Sequence, residues 1–135
     1  RFAMQGRLNM SYKPVMLLAL LDNVSGAGEL PEPVLVDAFW SFYRRRAALG
    51  LPAEVASSLL SRPEAATVAQ VRALLVGMPL ERFIIQGYLQ HFPDAGLVRV
   101  RPEVWEGLRY REVLTLRLAL EEQIQGYFGG FMAGA

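Results

Sequence analysis

SYKPVMLLALLDNV, residues Ser11 to Val24, decides the fold. From Val15 to Leu21 every residue is apolar, so a helix here has no face suited to water and must be covered on several sides. That predicts the central core helix. The run is far shorter than the roughly 20 apolar residues a bilayer crossing needs, and Lys13 and Asp22 bracket it, which argues against a membrane span. Pro14 suits the first turn, where its missing N–H has no partner in any case, and Ser11 is placed to cap the free donors. Asn23, Gly26 and Gly28 mark the end. Leu17, Leu18 and Leu21 are expected in the core together with Phe39 and Phe42 of the next helix.

Outward from this helix, GAGELPEP reads as a turn-rich connector with room for a short strand at Glu29 and Leu30. A second helix is predicted from about Pro33 to Leu49. Leu35, Ala38, Phe39, Phe42 and Leu49 share one face of it, and Asp37, Ser41 and Arg44 share the opposite one. Gly50 and Pro52 stop it. The pattern from Leu51 to Ala66 is poor and reads as a loop with one short helix near Glu54 to Leu60. Thr67 to Gln70 is a capping box, followed by Val68, Val71, Leu75 and Met78 at helical spacing. Gly77 and Pro79 interrupt that helix, and Leu80 to Ile84 extend it by a turn at a different angle.

The period then changes to that of strands. GYLQHF, PDAG and LVRVRP form two short strands joined by a four-residue turn. Setting Phe92 opposite Leu97 puts Gln90 opposite Arg99 and Tyr88 opposite Arg101 on an outer face. Leu89, His91, Val98 and Val100 take the buried one. A short helix from Pro102 through Trp105 to Leu108 follows, then a long one from about Tyr110 to Tyr127 with Val113, Leu116, Leu120 and Ile124 on one side. Residues 1–10 read as a loosely packed lead-in and 129–135 as a mobile tail. These parts predict a single domain at 1–135, mainly α in an α+β sense: a winged-helix-like helical domain with one short β-hairpin and a long C-terminal helix.

The absence of Cys and the single His, His91, leave zinc, iron–sulfur and thiol chemistry without ligands, and no carboxylate loop for a hard cation appears. No cofactor or metal is expected. Fourteen basic residues stand against thirteen acidic ones, so any anion-binding surface must be a local patch. Lys13 is the lone lysine. The start at Arg1, without a leader, points to a fragment of a longer protein, and the lack of Cys and of a targeting segment suits the cytoplasm.

Three stretches together carry a family resemblance: YKPVMLLALLDNV, LVDAFWSFYRRRAALGLPAE, and a capped helix leading to Pro79-Leu-Glu-Arg-Phe83. The chain from Tyr12 to about Tyr127, including LVRVRPEVWEGL, resembles an accessory domain of superfamily II (DEAD/DEAH or SNF2-like) helicases and restriction-type defence proteins. The resemblance implies a helicase-associated role in DNA contact or in docking onto a motor. No GxxxxGK[ST] loop and no DEAD-like tetrad is present, so ATP hydrolysis by that route is excluded.

Candidate sites follow, each with its structural alternative. Arg44, Arg45 and Arg46 either complement the carbonyl end of a helix or contact phosphates, and the two roles are compatible. Arg99 and Arg101, on a face with Tyr88, Gln90 and Phe92, either bind nucleic acid by stacking and phosphate contact or form an ordinary outer sheet face. Asp94 at the turn counts against insertion of the tip. Lys13 belongs to the family-like start of the first helix and reads otherwise as a solvated or paired lysine. Trp40 and Tyr43 are either core or an exposed partner-binding strip. His91 is expected as a satisfied, half-buried side chain. The leading reading is a non-catalytic accessory domain whose partner is DNA, bound weakly and without sequence preference, or a helicase motor domain. Its rival is a protein-interaction or dimerisation module, with a homodimer as its simplest form.

Overall fold

The computed structural model describes residues 11–108 and 110–134, with the backbone alone at Tyr110 and at 130–134. The expected lead-in at residues 1–10 lies outside the described residues.

The apolar stretch forms α1, Tyr12–Asn23, packed between α2 (Glu32–Ala48) and the C-terminal helix. Its buried side is Tyr12, Pro14, Val15, Met16, Ala19 and Leu20. Leu17, Leu18 and Leu21, expected in the core, are only half-buried: Leu17 and Leu21 line a pocket with Phe83 and Leu116, and Leu18 a depression beside Phe42 and Arg45. Ser11 does not cap the helix either. Its backbone is already helical (φ −73°, ψ −28°), and its hydroxyl turns inward to Tyr43 and Glu54.

On α2 the buried face is Leu35, Val36, Phe39 and Tyr43, rotated from the one expected. The cause is aromatic. Tyr12, Phe39 and Tyr43 meet edge to face with centroids 5.3 to 6.0 Å apart, a geometry that favours ring quadrupoles, and this turns Tyr43 inward. Phe42 stays half-buried at the periphery, and Leu49 falls past the helix end and is 69% exposed. Gly50, at φ +75°, supplies the left-handed residue that ends the helix.

No helix forms at Glu54 to Leu60. Residues 49–66 instead run across the helices as a strap with two 3₁₀ turns, Leu59–Ser61 and Pro63–Ala65. Thr67 then caps α3, Val68–Leu75, with the reciprocal capping box: the Gln70 amide donates to Thr67 Oγ1, and the Thr67 amide donates to Gln70 Oε1. At Gly77 and Pro79 the chain widens into a π-turn, Val76–Leu80, and resumes as α4, Glu81–Ile85. The wider turn absorbs the missing proline donor without breaking the element.

The hairpin has the expected register. In β2 (Leu89–Phe92) and β3 (Leu97–Val100), Gln90 pairs with Arg99, His91 with Val98 and Phe92 with Leu97. A 3₁₀ turn at Pro93–Ala95 and Gly96 at φ +61° close it. The short strand expected after α1 is β1, Glu29–Pro31, which pairs with β3 to give an antiparallel sheet of order β1-β3-β2. Helix, strand, helix, helix and hairpin in this order, with the first strand joining the hairpin, is the winged-helix-like arrangement the sequence predicted. Helix α5, Pro102–Gly107, is tied back by the Trp105 indole N–H, which donates to the Gly26 carbonyl at 2.9 Å. The Trp105 ring lies where a Cβ on Gly28 would stand, 2.8 Å from its Cγ, so only glycine fits at that left-handed position. The last helix, α6, runs from Tyr110 to Gly134, so the tail expected to be mobile continues the helix. Leu120, Ile124, Tyr127 and Phe128 are its buried positions, whereas Leu114 and Leu118 stand 42% and 64% exposed. Among the described residues no helix is long and apolar enough to cross a membrane.

Candidate functional site

The hairpin register builds the first candidate surface. Alternation along β2 and β3 turns Gln90, Phe92, Leu97 and Arg99 outward, while Leu89, Val98 and Val100 are buried. Tyr88 and Phe92 are exposed at 50% and 37%. Arg99 donates from Nε and Nη2 to Gln90 Oε1 at 3.0 and 2.7 Å, and its guanidinium stands 5.1 Å from the Phe92 ring. The Arg101 amide donates to the Tyr88 carbonyl, which extends the ladder one pair beyond Leu89 and Val100. Two acids qualify this surface. Arg101 pairs with Glu103 at 2.8 Å, and Glu29 lies opposite Arg99 on β1.

The α2 candidates are placed elsewhere. Arg44 sits about 18 Å beyond Glu32 along the helix, at 1.5 Å per residue. It bonds Asp37 at 3.2 Å and Ser41 at 2.7 Å and stacks 4.3 Å from the Trp40 ring, so its charge is largely matched within α2. Arg45 is exposed and shares a depression with Asp22 and Asn23. Arg46 lays its guanidinium 3.7 Å from the Phe128 ring and donates to the Pro52 carbonyl at 2.6 Å. Nothing described joins Arg44 and Arg45 to Arg99 and Arg101 in one patch. Lys13 is half-buried at the start of α1. The partner-binding strip is corrected. Tyr43 is fully buried, drawn in by Tyr12 and Phe39, and the indole N–H of Trp40 is spent on the Pro63 carbonyl at 2.9 Å.

Two buried acids were not legible in the sequence. Glu32, between prolines that read as a turn, is 4% exposed at the start of α2. Its carboxylate accepts from Arg72 and bonds His91 Nε2 at 2.7 Å, and its amide donates to the Gly96 carbonyl at 2.7 Å. Burial pushes this carboxyl up, but the hydrogen bonds and charges of Arg72 and His91 together outweigh it and hold it below the usual range. His91 is thus the satisfied, half-buried histidine expected.

Glu54, in the unpatterned strap, is 6% exposed. Ser11 and Tyr127 donate to its two carboxylate oxygens, and the Val55 amide donates to Oε1 at 2.9 Å. Burial raises this carboxyl and outweighs the Tyr127 hydroxyl, the Val55 amide and the charge of Arg46, which forms no ion pair with it. No helical or strand period runs through Leu51 to Ala66, so no sequence signal marked it.

The last feature is an apolar pocket of about 270 Å³ at the uncovered edge of α1. Leu17 and Leu21 meet Phe83, Tyr88, Val104 and Leu116 there. Among the described residues no group of three or more His, Asp or Glu is arranged to hold a metal ion. The fold and these surfaces define a mainly helical domain with a three-stranded antiparallel sheet, and no family model, curated protein or solved structure matches the chain.

Proposed function

We propose that this chain is a non-catalytic accessory domain of a DNA-processing helicase or restriction-type protein, and that it meets nucleic acid with the outer face of its hairpin. One observation carries the reading. The strand register puts the exposed Phe92 ring on the outer face with Arg99, whose guanidinium stands 5.1 Å from it. Rings offer stacking to any base and guanidinium groups offer bidentate contact to phosphate, so such a face binds without reading sequence. Arg44 is matched by Asp37 and Arg101 by Glu103, so the hairpin face is preferred for its exposed ring rather than for free charge.

A second reading, docking of a partner domain, is favoured by the pocket beside Leu17 and Leu21, whose walls are apolar. A fluorescence-anisotropy titration across salt concentrations separates the two. An interface neutralising two to four phosphates predicts a log-log salt slope of roughly −2 to −4 on duplex DNA, and Arg99→Ala with Arg101→Ala should flatten it by up to about 2. Undetectable binding at low salt, or a slope the double variant leaves unchanged, transfers the function to protein docking.

A further inference from the structure

We infer that residues 49–66 are a proton-dependent latch: a strap that protonated Glu54 holds against three helices, and that ionisation of Glu54 loosens together with the C-terminal turns of α6. The strap carries little regular structure, only two single 3₁₀ turns, and its anchors are few. Ala53, Leu60 and Pro63 are its buried apolar residues. Arg46 holds the Pro52 carbonyl, Trp40 holds the Pro63 carbonyl, and Tyr12 bonds Ser58. These contacts do not titrate near neutral pH. The remaining anchor is Glu54, which reaches Ser11 at the start of α1 and Tyr127 on α6.

Among the described residues, four segments supply the groups around that carboxyl. From α1 it faces Ser11 and Tyr12, from α2 Tyr43 and Arg46, from α6 Tyr127, and from its own strap the Val55 amide. Tyr12 and Tyr43 are themselves pushed up, by burial first and by Glu54 second for Tyr12, so they remain neutral. Arg46 is the one cation among these groups, and it is turned away, its Nε on Pro52 and its guanidinium on Phe128. No ion pair to Glu54 forms among the described residues. Ionising the group in place therefore leaves a buried charge that hydroxyls, an amide and the unbonded charge of Arg46 compensate only in part, whereas opening the strap hydrates it. Because Glu54 is raised in the closed form, strap stability is fully present below the ordinary carboxylate value and is lost as pH climbs through the raised one.

Hydrogen exchange on the full chain, expressed as protection relative to intrinsic exchange at each pH, tests this. Protection of residues 49–66 and of the turns around Tyr127 should fall about tenfold per pH unit between the ordinary carboxylate value and that of Glu54, then level off, as one-proton linkage requires. Protection of α3 should not follow. Glu54→Gln should abolish the dependence. Should that variant fold poorly, Tyr127→Phe serves instead: it removes a donor to the ionised carboxyl and should extend the fall to higher pH, shifting its midpoint while leaving its onset in place. Strap protection that is flat with pH in the wild type, a fall that persists in Glu54→Gln, or a midpoint unmoved in Tyr127→Phe overturns the latch.

Discussion

Glu32 and Glu54 are both shut off from solvent, 4% and 6% exposed, with Glu54 set deeper among packed atoms, and their carboxyls are driven in opposite directions. Burial is the largest influence on both. At Glu32 an arginine and a histidine from two other elements converge on it and more than compensate. At Glu54 tyrosines and a serine supply hydrogen bonds without charge, and burial prevails. The comparison teaches that partners as well as depth fix how a buried acid behaves. Hydroxyl partners satisfy its lone pairs, whereas only cations restore the solvation its charge has lost. The Glu32 network joins α2, α3 and the hairpin as a permanent clamp. The Glu54 network joins the strap to α1 and α6 and depends on a proton.

The largest effect expected in breaking this contrast comes from Tyr43→Ala. The ring is fully buried against Tyr12, Phe39 and Phe42, and its loss also takes the hydroxyl that Ser11 bonds on the Glu54 side. A cost of about 3 to 5 kcal/mol is expected in urea unfolding, typical of deleting a large core aromatic. An intermediate effect separates the two acids. Glu32→Gln should cost about 1 to 3 kcal/mol at neutral pH, since it weakens charge-assisted bonds to Arg72 and His91. Its wild-type contribution is present above the ordinary carboxylate value and is lost as pH falls through the lowered one. Glu54→Gln should change neutral stability by less than about 1 kcal/mol, because it exchanges a reluctant charge for a neutral amide of the same shape. Unfolding curves over pH would show the two variants removing slopes of opposite sign, and slopes of the same sign would undo the comparison. The smallest effect belongs to the hairpin surface. Arg101→Ala breaks an exposed pair with Glu103 and should move stability by no more than about 0.5 kcal/mol, so any larger loss would mean Arg101 is part of the structure rather than free for a ligand.

Elements with a strong local period were legible from the chain itself. The unbroken apolar run of α1 required burial, Thr67 and Gln70 marked the start of α3, and Pro93 to Gly96 fixed a hairpin register that the fold reproduces residue for residue. The placing of Phe92 and Arg99 on the outer face followed from that register, because strand alternation is a local rule. The tertiary structure decided what depended on distant partners. Which leucines of α1 are buried was set by where α2 and α6 cover it. Tyr43 was turned inward by Tyr12, and Trp40 was occupied by Pro63. The two glutamates carry no local signature at all, since their burial and their charge depend on Ser11, Arg72, His91 and Tyr127, residues 40 or more positions away in sequence. Local sequence specifies backbone period and turn chemistry; the free energy of a buried charge is a property of everything packed around it, and only the folded chain brings those groups together.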